Sequence, residues 1–150
     1  MQIALGADFR IASPDASFSI MEGKWGLIPD MGGNLAIREL VPKDIALRLT
    51  MTAEVISAQT AFEYGLVTRL AEDPLDEAMQ LVAQIAERSP DAVAALKKLY
   101  HQNWFKAEWK MLAKESYYQL KILLGKNQSK AVKRQLNPDS NIKYITRNKW

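Results

Sequence analysis

The spacing of apolar positions changes along the chain. In "DFRIA" and "SFSI" apolar and polar residues alternate over a few positions, the pattern of short strands, and the turn signal Ser13-Pro14-Asp15 separates the two runs. The preceding "QIALGA" reads as the tail of a helix, and "MGGNLAIREL" as a helix that opens on glycines. From there the chain is largely helical. The expected class is α/β, mostly helical, with short strands near the N-terminus.

Punctuation places the later helices. Pro42 starts "KDIALRLTMTA", and Ser57 is a good N-cap for "AQTAFEYG", which Gly65 closes before the short apolar run "LVTRLA". Asp73-Pro74 begins "LDEAMQLVAQIAERS", where Leu75, Met79, Val82, Ala83 and Ala86 recur at helical spacing. Ser89-Pro90 ends that helix and begins "DAVAALKKLYHQNW". In "AEWKMLAKESYYQLKILLG" the stripe Trp109, Leu112, Leu120, Leu123 and Leu124 is wide enough to need a partner helix. "SKAVKRQL" is the last short helix, and past Asn137-Pro138 the sequence has the character of a tail. Position 1 enters a helical run without an N-cap or a preceding strand, so the chain is expected to be the second part of something larger.

Composition narrows the chemistry. With Cys 0 and His 1, disulfides, thiolate nucleophiles and Cys- or His-rich metal sites are excluded, which leaves carboxylates, hydroxyls, Lys, Tyr or backbone donors. Asp8 and Arg10 interrupt the start before any leader pattern forms, and no later apolar run approaches membrane-spanning length, so a cytoplasmic protein is expected. The formal charge of +3 is uneven: Lys126, Lys130, Lys133, Arg134, Lys143, Arg147 and Lys149 crowd the end. Such an end suits a phosphate, an acidic partner or water, and no nucleic-acid motif accompanies it.

Glu22 is the sharpest candidate for chemistry. It follows the strand pattern and precedes the Gly/Pro-rich turn of "FSIMEGKWGLIPDMGG", with Met21, Trp25, Leu27 and Ile28 as apolar neighbours that would exclude water. Its plain alternative is an exposed loop acid. Asp30 is the next candidate, and its alternative is a cap of the helix starting near Met31. His101 lacks an evident acid or nucleophile partner and reads as an exposed residue, while Tyr100, Trp104, Phe105, Trp109, Tyr117 and Tyr118 read as a packing or interface stripe.

The order of blocks "MQIALGADFRIASPDASFSIMEGKWGLIPDMGG", "ISAQTAFEYGLVTRLAE" and "AVKRQLNP" resembles the C-terminal half of the enoyl-CoA hydratase/isomerase family, the crotonase superfamily, over residues 1 to about 138. The resemblance implies the C-terminal part of a crotonase-like spiral fold, divided here into an active-site segment 1–70, a helical assembly region 71–137 and a basic tail 138–150. It implies an acyl-CoA substrate, no separate cofactor because CoA is part of the substrate, and a homo-oligomer, trimer or hexamer, built through the C-terminal helices. Neither nucleic acid nor membrane is an expected partner. The family's chemistry is stabilisation of a thioester enolate by two backbone N–H groups, with carboxylates moving the protons.

Residue by residue, Glu22 matches the family's acid/base glutamate, and Asp30 a catalytic aspartate of dienoyl-CoA isomerases. Gln2 stands where hydratases carry a second glutamate. An amide orients water but cannot carry its proton, so isomerisation and hydration both stay open. Lys133 falls near a basic position that reaches the CoA nucleotide, its alternative being an exposed helix-terminal lysine. Trp25, Leu27 and Ile28 would line the acyl side of the pocket or pack beneath it. Relatives carry the oxyanion donors upstream of the segment that aligns with Met1, so the chain is expected to be inactive alone. A truncated, non-catalytic subunit that assembles with complete chains is the alternative.

Overall fold

The computed structural model describes residues 1–25, 27–29, 31–137 and 140–147, and the chain divides into two compact units, Met1–Gln80 and Leu81–Trp150. The first contains α1 (Gln2–Leu5), β1 (Ile11–Ala12), β2 (Ser17–Phe18), a 3-10 turn (Met21–Trp25), α2 (Gly33–Leu40), α3 (Lys43–Thr52), β3 (Ile56–Ser57), α4 (Ala58–Glu63) and β4 (Arg69–Leu70). The two strands that flank Ser13-Pro14-Asp15 do not pair with each other. Instead β1 runs parallel to β4, with Ile11 opposite Arg69, and β2 runs antiparallel to β3, with Phe18 opposite Ile56.

These pairings bring distant segments around one core of Leu5, Ala12, Ile20, Ile37, Val41, Leu49, Ile56, Ala61, Leu66 and Val67. Local chemistry fixes its edges. The Ser57 hydroxyl accepts from the Thr60 amide at 3.1 Å, and Gly65, at φ +84°, follows the end of α4. Arg10 acts as a bracket: its Nε donates to the Leu66 carbonyl at 2.6 Å and its Nη1 to the Ala7 carbonyl at 2.6 Å. Partial burial pushes its pKa below the usual arginine range.

From Asp73, whose carboxylate accepts the amides of Leu75 at 3.1 Å and Asp76 at 3.0 Å, α5 (Pro74–Ala86) leads out of the first unit. The second unit packs α6 (Pro90–Asn103), α7 (Glu108–Leu123) and α8 (Lys126–Leu136). Its buried apolar cluster is Ala95, Leu99 and Tyr118, with Ile122 against it. Helix α7 therefore turns Tyr118 and Ile122 inward and leaves the predicted stripe exposed, Trp109 at 67% and Leu124 at 78%.

Residues 140–147 do not hang free. The buried Asn127 side chain donates to the Ile145 carbonyl at 3.0 Å and accepts the Ile145 amide at 2.9 Å, while also donating to Asp91 at 3.1 Å. Lys130 donates to the Lys143 carbonyl at 2.7 Å, and Arg134 stacks 5.0 Å above the Tyr144 ring while pairing with Glu87.

Candidate active site

Glu22 sits in the 3-10 turn Met21–Trp25, and two backbone features seat it. The Leu27 amide returns to the Glu22 carbonyl at 3.0 Å, closing the turn. Gly23 lies so near α3 that a Cβ there would stand 2.5 Å from the Thr50 carbonyl oxygen. A side chain at that position would push the turn off α3, and Glu22 would move with it.

Gln2, the first residue of α1, reaches the same place. Its Nε2 amide donates to Glu22 Oε1, and both side chains are half-buried. Gly33 opens α2 against Gln2, where a Cβ would approach Gln2 Cγ to 2.8 Å. The entry to α2 is left-handed, with Met31 at φ 50° and Gly32 at φ 76°, and the Asn34 side chain ties back to the Pro29 carbonyl at 2.8 Å. A non-glycine residue in that region of backbone space stores strain. Beside Gln2 lies a cavity of about 10 Å³ that Leu5, Ile20, Pro29, Gly33 and Ile37 help to line. One carboxylate, one amide and the start of α2 thus meet on elements anchored in the first unit's core.

The expected apolar shield does not form. Trp25 is 75% exposed and Ile28 80%, and Met21 and Leu27 are exposed as well. The buried cluster closes with Ile20, Ile37 and Leu49 and takes in none of them. The Glu22 carboxylate is partly buried and accepts the Gln2 amide. Asp30 lies outside the described residues, and the residue before α2 is Gly32.

Lys133 belongs to the second unit, exposed in the last turn of α8 beside Arg134, where cations complement the helix dipole. His101 is exposed near the end of α6. Among the described residues no group of three His, Cys, Asp or Glu side chains is placed to hold a metal ion, and no helix is long and apolar enough to cross a membrane.

Sequence reasoning passed over the structural duty of Gly23 and Gly33. Both glycines stood in view as turn and helix-opening signals, but their close approaches are to Thr50 and Gln2, distant in sequence. Chemically, the arrangement can take up or release one proton at Glu22 while a fixed amide holds one of its oxygens.

The sequence model described as enoyl-CoA hydratase/isomerase matches residues 1–143. A carnitinyl-CoA dehydratase from Salmonella paratyphi A is 38% identical over 101 residues, which is 66% of this chain and 39% of that protein. Among solved structures, an enoyl-CoA hydratase from Polaromonas sp. JS666 superposes with a TM-score of 0.87 at 30% identity, covering 96% of this chain and 56% of that one. An enoyl-CoA hydratase from Mycobacterium tuberculosis H37Rv gives 0.87 at 29% identity, covering 95% and 57%. The chain spans about half the length of the relatives it matches, between 39% and 57% in these three.

Proposed function

The chain belongs to the enoyl-CoA hydratase/isomerase family, with a crotonase-like fold, and from that premise we propose that it carries the acid/base part of an acyl-CoA enzyme in which Glu22 moves the proton. Enzymes of this family act on CoA thioesters and need no further cofactor. The proposed substrate is an unsaturated acyl-CoA, and the proposed reaction is isomerisation or hydration through an enolate. The observation that carries this is the hydrogen bond to a half-buried Glu22 carboxylate from Gln2, which itself packs against the start of α2. Asp30 is proposed as an auxiliary acid, and Lys133 as a contact for the CoA nucleotide.

In this proposal the residues correspond to the C-terminal part of the family fold. The order of the sequence blocks supports that placement, and the coverage of 56% and 57% of the solved relatives supports a match to part of their length. Assembly into trimers or hexamers through the C-terminal helices is the companion proposal. Its support is the exposed stripe Trp109, Leu112, Leu120 and Leu123 on α7 with Leu124 at its C-cap. The same stripe favours a second role, a subunit that assembles with complete chains without turning over substrate.

Proton exchange tests the catalytic role. The complete protein, incubated in D₂O with an enoyl-CoA, is expected to exchange the acidic hydrogens of the acyl chain. Glu22→Gln is expected to slow that exchange by about a hundredfold or more while leaving the dissociation constant for acyl-CoA nearly unchanged. Exchange at the unaltered rate in Glu22→Gln would remove Glu22 from the mechanism.

A further inference from the structure

Resting on the proposed contact between Lys133 and the CoA nucleotide, we propose that segment 140–147 is a positioning strap: docked along α8, it fixes the face from which Lys133 meets the nucleotide phosphates and makes that end of the helix fit for an anion. The two faces of α8 carry this. Asn127, Lys130 and Arg134, at i, i+3 and i+7, lie on one side of the helix, and the strap engages all three. Asn127 is buried; it accepts the Ile145 amide at 2.9 Å and donates to the Ile145 carbonyl at 3.0 Å. Lys130 donates to the Lys143 carbonyl at 2.7 Å, and Arg134 stacks 5.0 Å above the Tyr144 ring. Because Asn127 also donates to Asp91 in the first turn of α6, one side chain joins strap, α8 and α6. Lys126 and Lys133, seven residues apart, share the adjoining face and are exposed. A helix gripped over two turns along one face cannot rotate about its axis, so the face that holds Lys133 stays fixed.

Charge gives the strap its second effect. The carbonyl end of a helix carries partial negative charge and repels a phosphate. Here the chain that leads into the strap supplies donors to that end: the Asn137 amide reaches the Lys133 carbonyl at 3.0 Å, and Ser140 gives its amide at 3.0 Å and its hydroxyl at 2.6 Å to the Asn137 carbonyl. Neither α8 nor residues 140–147 contain an Asp or Glu, while the strap adds Lys143 and Arg147, both exposed. With Lys130 and Arg134 engaged in docking, Lys126, Lys133, Lys143 and Arg147 remain as the exposed cations of α8 and strap. Folding back keeps the strap's cations near the helix, where screening over roughly 8–10 Å would otherwise separate their fields. The phosphates of CoA respond to such a field, whereas the uncharged pantetheine arm does not.

The test compares CoA with pantetheine, which lacks the nucleotide. Dissociation constants for both are measured by calorimetry on the complete protein and its variants, and the preference for CoA is read as their ratio. Partial unfolding of a variant lowers the number of sites and leaves this ratio unchanged. Lys133→Ala is expected to lower the preference about fivefold, and Lys133→Arg, which keeps the charge, to retain it. Stopping the chain at Asn137 is expected to lower it about fivefold or more. Asn127→Ala leaves every cation in place and removes only the anchor of the strap, and is expected to lower the preference about threefold with pantetheine binding unchanged. An unaltered preference in Asn127→Ala, where Lys133→Ala is impaired, overturns the positioning role of the strap and leaves the Lys133 contact standing. An unaltered preference in Lys133→Ala overturns that contact itself, which keeps the two failures apart.

Discussion

In Met1–Gln80 the buried cluster draws side chains from α1, β1, α2, α3, β3 and α4, whereas in Leu81–Trp150 it consists of Ala95, Leu99 and Tyr118 with Ile122 beside them. The deepest side chains of the second unit are polar: Asp91, Asn103 and Asn127 are each 1% exposed. Burying hydrocarbon yields roughly 25 cal/mol per Å², whereas a buried hydrogen bond yields a modest net gain and a large loss when broken. The first unit therefore gives Gln2 and Glu22 a packed foundation. The second joins its parts through specific polar contacts and leaves the apolar residues Trp109, Leu112, Leu120, Leu123 and Leu124 exposed.

The largest expected effect tests the packing side of that contrast. Leu66 is 2% exposed, and Leu66→Ala should lower stability by about 3 kcal/mol through lost burial and the cavity left behind. Leu124→Ala, at 78% exposed, should stay within about 0.5 kcal/mol. Urea unfolding of both variants at low protein concentration measures the difference. A Leu124→Ala penalty that appears only as concentration rises would show that the α7 stripe is covered in an assembly.

Next in size is the polar latch of the second unit. Asn127→Ala removes the acceptor of the Ile145 amide and the donor to Asp91 and to the Ile145 carbonyl. A loss of about 2 kcal/mol is expected, since buried partners are left unpaired. The Ile145 amide should also exchange with solvent much faster. Slow exchange at Ile145 in the variant would mean that Lys130 and Arg134 hold the segment without Asn127.

Locally decided features were legible in the sequence. Ser57, Asp73 and Gly65 mark helix ends because each acts on backbone groups a few residues away. The amphipathic character of α7 was legible too, but not which face is buried, because Tyr118 and Ile122 meet α6 only after the chain turns back. The strands at 11–12 and 17–18 take partners at 69–70 and 56–57, and short alternation carries no information about so distant a partner. For Glu22 the sequence supplied the acid and its neighbours, but not that those neighbours stay exposed. Trp25, Leu27 and Ile28 are adjacent in sequence, yet the cluster beneath the turn is complete without them. The latch at Asn127 left no trace in the pattern, since an asparagine in a basic helix is unremarkable until residues 140–147 fold back onto it.

The smallest expected effect compares one residue type at one position in the two units. Ser57 and Ser89 both stand at the N-cap of a helix. The Ser57 hydroxyl accepts the Thr60 amide at 3.1 Å, so Ser57→Ala should cost about 1 kcal/mol. The Ser89 hydroxyl is buried and makes no hydrogen bond among the described residues. Replacing it removes a desolvated polar atom and no cap bond, so Ser89→Ala should be neutral or raise stability by a few tenths of a kcal/mol. Paired unfolding midpoints for the two variants read the contrast directly. An equal loss in both would show that Ser89 caps α6 after all, and that the second unit ends its helices by the same local chemistry as the first.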